Sequence, residues 1–263
     1  DVGAALEVIH NFTLVHDDIM DDDDVRRGRP AVHKEFDVPS AINAGDAMLA
    51  VGFEILANSS GIAMKDIAHV VLTVGKMVRK VSEGQQLDIA FENEENVGIS
   101  DYLEMIDGKT AVMFQTAAEL GALLADADEG TIEACSVWGR EVGMCFQLMD
   151  DLLDILSEGD TIGKPRGSDI AQGKKTLIAL HALEQSGEGL QTFLEVFGKG
   201  DDVSKHDIER AIEALDDLGS IENARNVAKH HHSAANKALS NLPISSDLNI
   251  LKQLTNYQLS RIS

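Results

Sequence analysis

Residues Phe146-Gln147-Leu148-Met149-Asp150-Asp151-Leu152-Leu153-Asp154-Ile155-Leu156 put three carboxylates into a run that is otherwise strongly apolar. Apolar residues at these spacings cover more than one face of a helix, so the segment predicts a helix in the interior of a bundle. Asp150 and Asp154 are four residues apart and share one helical face, where like charges repel. An acidic face on such a helix has to project into a cavity and share it with cations. The same spacing occurs upstream in Asp17-Asp18-Ile19-Met20-Asp21, which runs on into Asp22-Asp23-Asp24. Each cluster is trailed by basic residues, Arg26, Arg27 and Arg29 after the first and Lys164, Lys174 and Lys175 after the second.

Working outward, Thr131 to Leu156, Val2 to about Asp21, Ala41 to Leu56, Ile67 to Leu87 and Ser100 to Ala125 carry apolar residues at three- and four-residue spacing and read as helices. Ser100 reads as the cap of the last of these. The four prolines, Pro30, Pro39, Pro165 and Pro243, fall where loops are expected, and aromatic residues make up only 4% of the chain. No alternating β-branched segments bounded by hairpin turns supply a sheet. The expected fold is all-α, a large helical bundle around a central apolar cavity. Glu158 to Lys175, rich in glycine and cations, reads as a loop, and after Thr176 the helices become shorter and more polar. No composition shift marks a second domain, so 1–263 reads as one. His230-His231-His232 lies within a helical pattern and reads as a solvated face, since a metal site needs better-spaced ligands.

The formal net charge is −23, which excludes nucleic acid as the expected partner, because phosphate backbones need clustered Lys and Arg. A diphosphate remains compatible if metal ions bridge it to the protein. Two cysteines, Cys135 and Cys145, with no CxxC pair, point to a reduced, cytoplasmic protein. No apolar run is read as a membrane span. The sequence opens at Asp1 as if inside a helix, and N-terminal helices are expected upstream of it. Several carboxylates with oxygen-only donors suit Mg²⁺, which keeps part of its water shell and is completed by substrate phosphates. The plainer reading, acid decoration of helix ends, accounts poorly for two copies of DDxxD.

Leu14-Val15-His16-Asp17-Asp18-Ile19-Met20-Asp21 followed by Arg26-Arg27-Gly28-Arg29-Pro30 resembles the first aspartate-rich motif of the trans-isoprenyl diphosphate synthases, the polyprenyl synthetase family. Phe146 to Asp154 resembles the second motif. Gly84-Gln85-Gln86-Leu87-Asp88, Lys109-Thr110, and Gly163-Lys164 through Gly173-Lys174-Lys175-Thr176 match further signatures in the family's order.

The resemblance implies the isoprenoid synthase fold and a Mg²⁺-dependent transferase. Such an enzyme condenses isopentenyl diphosphate with an allylic diphosphate. It implies three Mg²⁺ ions ligated by Asp17, Asp21 and Asp150, with Asp154 as a direct or water-mediated ligand and Asp18 and Asp151 as catalytic supports. Arg26, Lys109, Lys164 and Lys174 would add positive charge at the phosphates, and Arg27 would hold isopentenyl diphosphate. Thr110 and Gln147 would contact the reacting carbon. Phe12 and Thr13 would set product length. The absence of any insertion within Asp17–Asp21 resembles archaeal geranylgeranyl diphosphate synthases, so a C20 product is expected, with C15 as its competitor. The family's Gly-Lys-Arg-x-Arg-Pro stretch is expected upstream of Asp1, and a homodimer is expected. The competing readings are a terpene cyclase on the same fold, which usually carries a different second metal motif, and a non-catalytic partner subunit of a prenyl synthase.

Overall fold

The computed structural model describes residues 1–60, 62–157, 165–200 and 203–260. It divides into two units, Asp1–Lys76 and Met77–Ser263.

In the first unit, helix α1 (Val2–Met20) buries Val2, Ala5 and Ile9, the stripe that its three- and four-residue spacing predicts. After Asp21 and Asp22 the chain makes a minimal hairpin, β1 (Val25–Arg26) against β2 (Arg29–Pro30), with Arg26 opposite Arg29. The two loop residues, Arg27 at φ 53° and Gly28 at φ 74°, both lie in the left-handed region. That is the geometry a two-residue hairpin loop needs to match strand twist. These are the only strands among the described residues, and they were not foreseen, because two residues per strand leave no alternating pattern to read.

A short helix α2 (Val32–Glu35) leads into α3 (Val38–Ala57), which packs along α1. α3 starts three residues before the expected Ala41, because Asp37 caps it, accepting from the Ser40 amide at 2.6 Å, and Pro39 fits its first turn. It is also the one described helix long and apolar enough to cross a membrane by length and composition, a run not anticipated in the sequence. The unit ends in the first turns of α4 (Met64–Asn93).

In the second unit the helix expected over 100–125 is three pieces. α5 (Ile99–Ile106) gives way to a π-helical turn, Asp107–Ala111, before α6 (Val112–Leu124). The cap of α5 is Gly98, not Ser100, and the Asp101 carboxylate reaches back to the Gly98 amide at 2.8 Å. The π turn sits where α4 comes closest. A Cβ on Gly84 would stand 2.3 Å from the Lys109 nitrogen and 2.8 Å from the Gly108 carbonyl carbon, so the two backbones meet with no side chain between them.

α7 (Glu129–Leu156), capped by Asp128 on the Thr131 amide at 2.8 Å, is the central helix of this unit. α8 (Ser168–Gln172), α9 (Leu177–Leu183), α10 (Glu188–Leu194), α11 (Lys205–Asp217), α12 (Ser220–Leu239) and α13 (Ser246–Ser260) complete it. α6 and α12 flank α7. Leu148, Leu152 and Ile155 of α7 join Leu177, Ile178 and Phe193 in the core. The histidine run is not wholly solvated. His231 of α12 meets Glu141 of α7 through Nδ1 and Oε2 at 2.6 Å, with side-chain exposures of 14% and 12%. His232 pairs with Asn256 at 3.0 Å. The α12 backbone comes close to α7 where small residues such as Ala224, Ala228 and Ala235 are buried, which brings the imidazole into reach.

Candidate active site

The first acid set stands at the C-terminal end of α1. The Asp21 amide still closes a helical bond to the Asp17 carbonyl at 2.9 Å, and no basic residue occupies the last turn. Helix C-termini carry the negative pole of the backbone dipole, so three carboxylates there are disfavoured unless cations arrive. Arg26 from the hairpin supplies one. Its Nε donates to Asp18 Oδ1 at 2.7 Å, and its guanidinium lies 3.7 Å from Asp23 and 4.0 Å from Asp17. Asp18 is only 2% exposed, so this partner is what permits its charge in the interior. Burial pulls the Arg26 pKa down, but the hydrogen bonds and charge of Asp18, with Asp17 and Asp23, raise it overall. Lys34 joins Asp22 at 2.7 Å and Asp24 at 2.9 Å. Arg27 sits exposed at the hairpin tip.

Phe12 stacks edge-on against His16, ring centroids 4.9 Å apart, and Thr13 donates its hydroxyl to the His10 carbonyl at 2.7 Å. The His16 ring occupies the space a Cβ on Gly45 would need and lies 3.3 Å from the Ile42 carbonyl. It is therefore a packing residue between α1 and α3.

The second acid set occupies the last two turns of α7, again with no basic residue in the last turn. The three aspartates differ. Asp150 is exposed, Asp151 is buried, and Asp154 accepts from Ser168 Oγ at 2.7 Å and from the Asp169 amide at 3.2 Å, tying down the start of α8. Burial pushes the Asp151 pKa up to about 6; the Tyr102 and Gln147 hydrogen bonds oppose that shift and the charges of Asp150 and Asp88 add to it. Gly143 explains how Asp151 finds these neighbours. A Cβ there would lie 2.6 Å from the Ala111 Cα, so α7 approaches the π turn closely. One turn further along α7, Gln147 meets Thr110 at 2.8 Å. One turn beyond that, Asp151 meets Gln147 at 3.0 Å and the hydroxyl of Tyr102 from α5.

Lys109 donates to Asp88 of α4 at 2.5 Å, the pairing that the Gly84 contact makes reachable. Lys174, Asp169 and Thr176 share with Asp151 the polar side of a small cavity whose apolar side includes Ile155 and Phe193. Lys175, adjacent in sequence, does different work. Its ammonium donates to the Phe91 and Glu94 carbonyls and closes the C-terminal end of α4. Lys164 lies outside the described residues.

Among the described residues no three His, Cys, Asp or Glu side chains are grouped as a ready metal cage. The residues still fit Mg²⁺, an ion that keeps several waters and binds through one or two carboxylates plus phosphate oxygens. The donors are all oxygen, and each set stands at a negative helix pole. Sequence reasoning passed over Tyr102, Asp88 and Asp169 as site residues. The available signal for Tyr102 was a phenol in an apolar helix, whose hydroxyl needs a partner when buried.

The sequence profile described as polyprenyl synthetase matches residues 1–215. The chain is 43% identical over 259 residues to the geranylgeranyl pyrophosphate synthase of Geoglobus acetivorans, spanning 98% of this chain and 79% of that protein. It is 39% identical over 261 residues to the geranylfarnesyl diphosphate synthase of Natronomonas pharaonis, spanning 98% and 74%. The structure resembles that of geranylgeranyl pyrophosphate synthetase from Pyrococcus horikoshii Ot3, with TM-score 0.92, 42% identity, and coverage of 99% of this chain and 79% of that one. It also resembles polyprenyl synthase from Caulobacter crescentus CB15 complexed with calcium and isoprenyl diphosphate, with TM-score 0.88, 31% identity, and coverage of 100% and 78%.

Proposed function

Because the chain belongs to the polyprenyl synthetase family, we propose that it is a prenyltransferase joining isopentenyl diphosphate head-to-tail to allylic diphosphates, with a C20 trans-prenyl diphosphate as product. The observation that carries this reading is the pair of DDxxD sets at helix C-termini, where the backbone dipole disfavours clustered carboxylates and favours the arrival of cations. Asp17, Asp21 and Asp150 are the proposed Mg²⁺ ligands. Asp154, already engaged by α8, acts through its remaining lone pairs or through water, and Asp18 and Asp151 support from within. Bound Mg²⁺ would neutralise the diphosphate as it leaves. The complex of the Caulobacter neighbour with calcium and isoprenyl diphosphate supports a divalent ion in this chemistry.

Arg26, Lys109, Lys164 and Lys174 bind phosphate oxygens in this reading, and Arg27 reaches isopentenyl diphosphate from the hairpin tip. Thr110 and Gln147 lie beside the carbon that becomes cationic when the allylic C–O bond breaks. An apolar surround keeps water from that cation. The isopentenyl double bond then forms the new C–C bond, and the proton it releases leaves with the diphosphate. Phe12 and Thr13 limit product length. A C25 product is the second reading, favoured by the resemblance to the Natronomonas pharaonis geranylfarnesyl diphosphate synthase.

The deciding experiment incubates the protein with Mg²⁺, isopentenyl diphosphate and farnesyl diphosphate and separates the products by length, with Asp150→Ala as control. A C20 diphosphate absent from the control supports the assignment, and a C25 product replaces the length. A folded, Mg²⁺-loaded protein that elongates no allylic diphosphate overturns the synthase reading. In this reading the protein is a cytoplasmic homodimer whose chain acts as one synthase domain. A second copy would cover Val38, Ile42 and Val51 of α3, which are 44%, 42% and 43% exposed. Sedimentation equilibrium giving the mass of a single chain would remove the dimer.

A further inference from the structure

Asp151 is 8% exposed, and as a carboxylate it offers lone pairs and no proton. Both of its oxygens are used. Oδ2 accepts from the Tyr102 hydroxyl, and Oδ1 accepts from Gln147 Nε2 at 3.0 Å. The second bond settles the Gln147 amide, because only its NH₂ end is able to donate to a carboxylate. The amide oxygen must then point the other way, and Thr110 Oγ1 donates to it at 2.8 Å. The Thr110 hydroxyl has a single proton and has spent it toward Gln147. Its lone pairs are left for whatever stands beyond it. The direction of every bond in the relay is thus dictated by the carboxylate at its buried end.

We propose that Tyr102 is a positioning residue. With Asp151 it fixes the polarity of the Gln147–Thr110 relay, so that Thr110 presents oxygen lone pairs, and never its proton, to the allylic cation. This rests on the proposed function. When the allylic C–O bond breaks, the bonding pair leaves with the diphosphate and the carbon is left short of two electrons. Thr110 gains and loses no proton; its oxygen stabilises the cation by charge and dipole, oriented before the bond breaks. Tyr102 touches no substrate. Its ring is 2% exposed among core residues, and its hydroxyl is the second of the two donors that hold the Asp151 side chain in one rotamer. Without that donor the carboxylate is free to turn. Gln147 then loses the partner that fixes its amide, and Thr110 is able to donate outward.

The test is a double-mutant cycle read in kcat and KM for both substrates, using Tyr102→Phe, Thr110→Val and the pair, with Thr110→Ser as the conservative control. Tyr102→Phe keeps the ring and removes only the hydroxyl. It should lower kcat by about tenfold with KM unchanged within about twofold, since the interaction is made to the transition state and not to the bound substrate. Thr110→Val should lower kcat further, and Thr110→Ser should retain it within about threefold. In the pair, Tyr102→Phe should add no further loss, because the oxygen through which it acts is gone. If the two effects multiply, or if Tyr102→Phe raises KM instead, Tyr102 serves packing alone and the inference falls. Should Tyr102→Phe fold poorly, Tyr102→Leu, which also removes the hydroxyl, takes its place in the cycle with the same expectations, and multiplicative losses with Thr110→Val there also overturn the inference. A wild-type chain that makes no prenyl product overturns the proposed function and this relay with it. An active wild type with multiplicative losses overturns the relay alone.

Discussion

At the scale of single residues, the acidic motifs were legible because like charges four apart on an apolar helix are unfavourable without cations. That reasoning did not distinguish the aspartates from one another. The fold does so by burial. Asp18 is held by an arginine, Asp151 by a phenol and an amide, and Asp154 by a helix start. Arg26→Met should therefore leave Asp18 buried without a counter-charge. The expected destabilisation in urea unfolding is about 2–4 kcal/mol, below the fully buried range because the Arg26 side chain is 35% exposed. Restoring most of that loss in the Arg26→Met/Asp18→Asn pair would confirm that the guanidinium serves the carboxylate; a loss under about 0.5 kcal/mol would show that it does not. Tyr102 was harder to read for the opposite reason, since only its hydroxyl marks it. Its apolar ring fits the helical stripe, so nothing in spacing sets it apart from a core leucine.

At the scale of elements, the helix periodicity located α1, α3, α4 and α7 because each has a continuous apolar stripe. It read the segment from Ser100 to Ala125 as one helix because one extra residue in a π turn leaves the composition unchanged. Only the contact with Gly84, distant in sequence, shows why the backbone widens at Lys109 and Thr110. The histidine run was misjudged on similar grounds, since Glu141 lies far from it in sequence. Burial alone would raise the Glu141 pKa, but its hydrogen bond to His231 and the charges of His231 and Arg140 lower it below the ordinary glutamate value. The stabilising contribution is complete above about pH 4.5 and is lost as pH falls through the lower folded value. Glu141→Gln should flatten the dependence of unfolding free energy on pH across that acid window and cost about 1–2 kcal/mol at pH 7. Denaturation curves at pH 3 to 7 check this, and an unchanged acid slope in the variant would assign the acid sensitivity to other carboxylates.

At the scale of the whole molecule, the all-α class and the order of the motifs were readable from composition and spacing, since each depends on local sequence. The small hairpin was not, since two residues per strand leave no alternating pattern to read. The position of both acid sets at negative helix poles has a consequence for the protein before any chemistry occurs. If the proposed Mg²⁺ ligands bind the ion there, occupancy and fold stability are linked by mass action. Mg²⁺ with inorganic diphosphate should raise the thermal midpoint well beyond what the same ionic strength of KCl achieves, and Asp150→Ala should shrink that difference. Equal midpoints in the two salts would separate the acid sets from metal binding. Under that reading, melting temperature becomes a gauge of site loading that works without a turnover assay, and starvation for the divalent ion would shorten the protein's lifetime as well as slow its reaction.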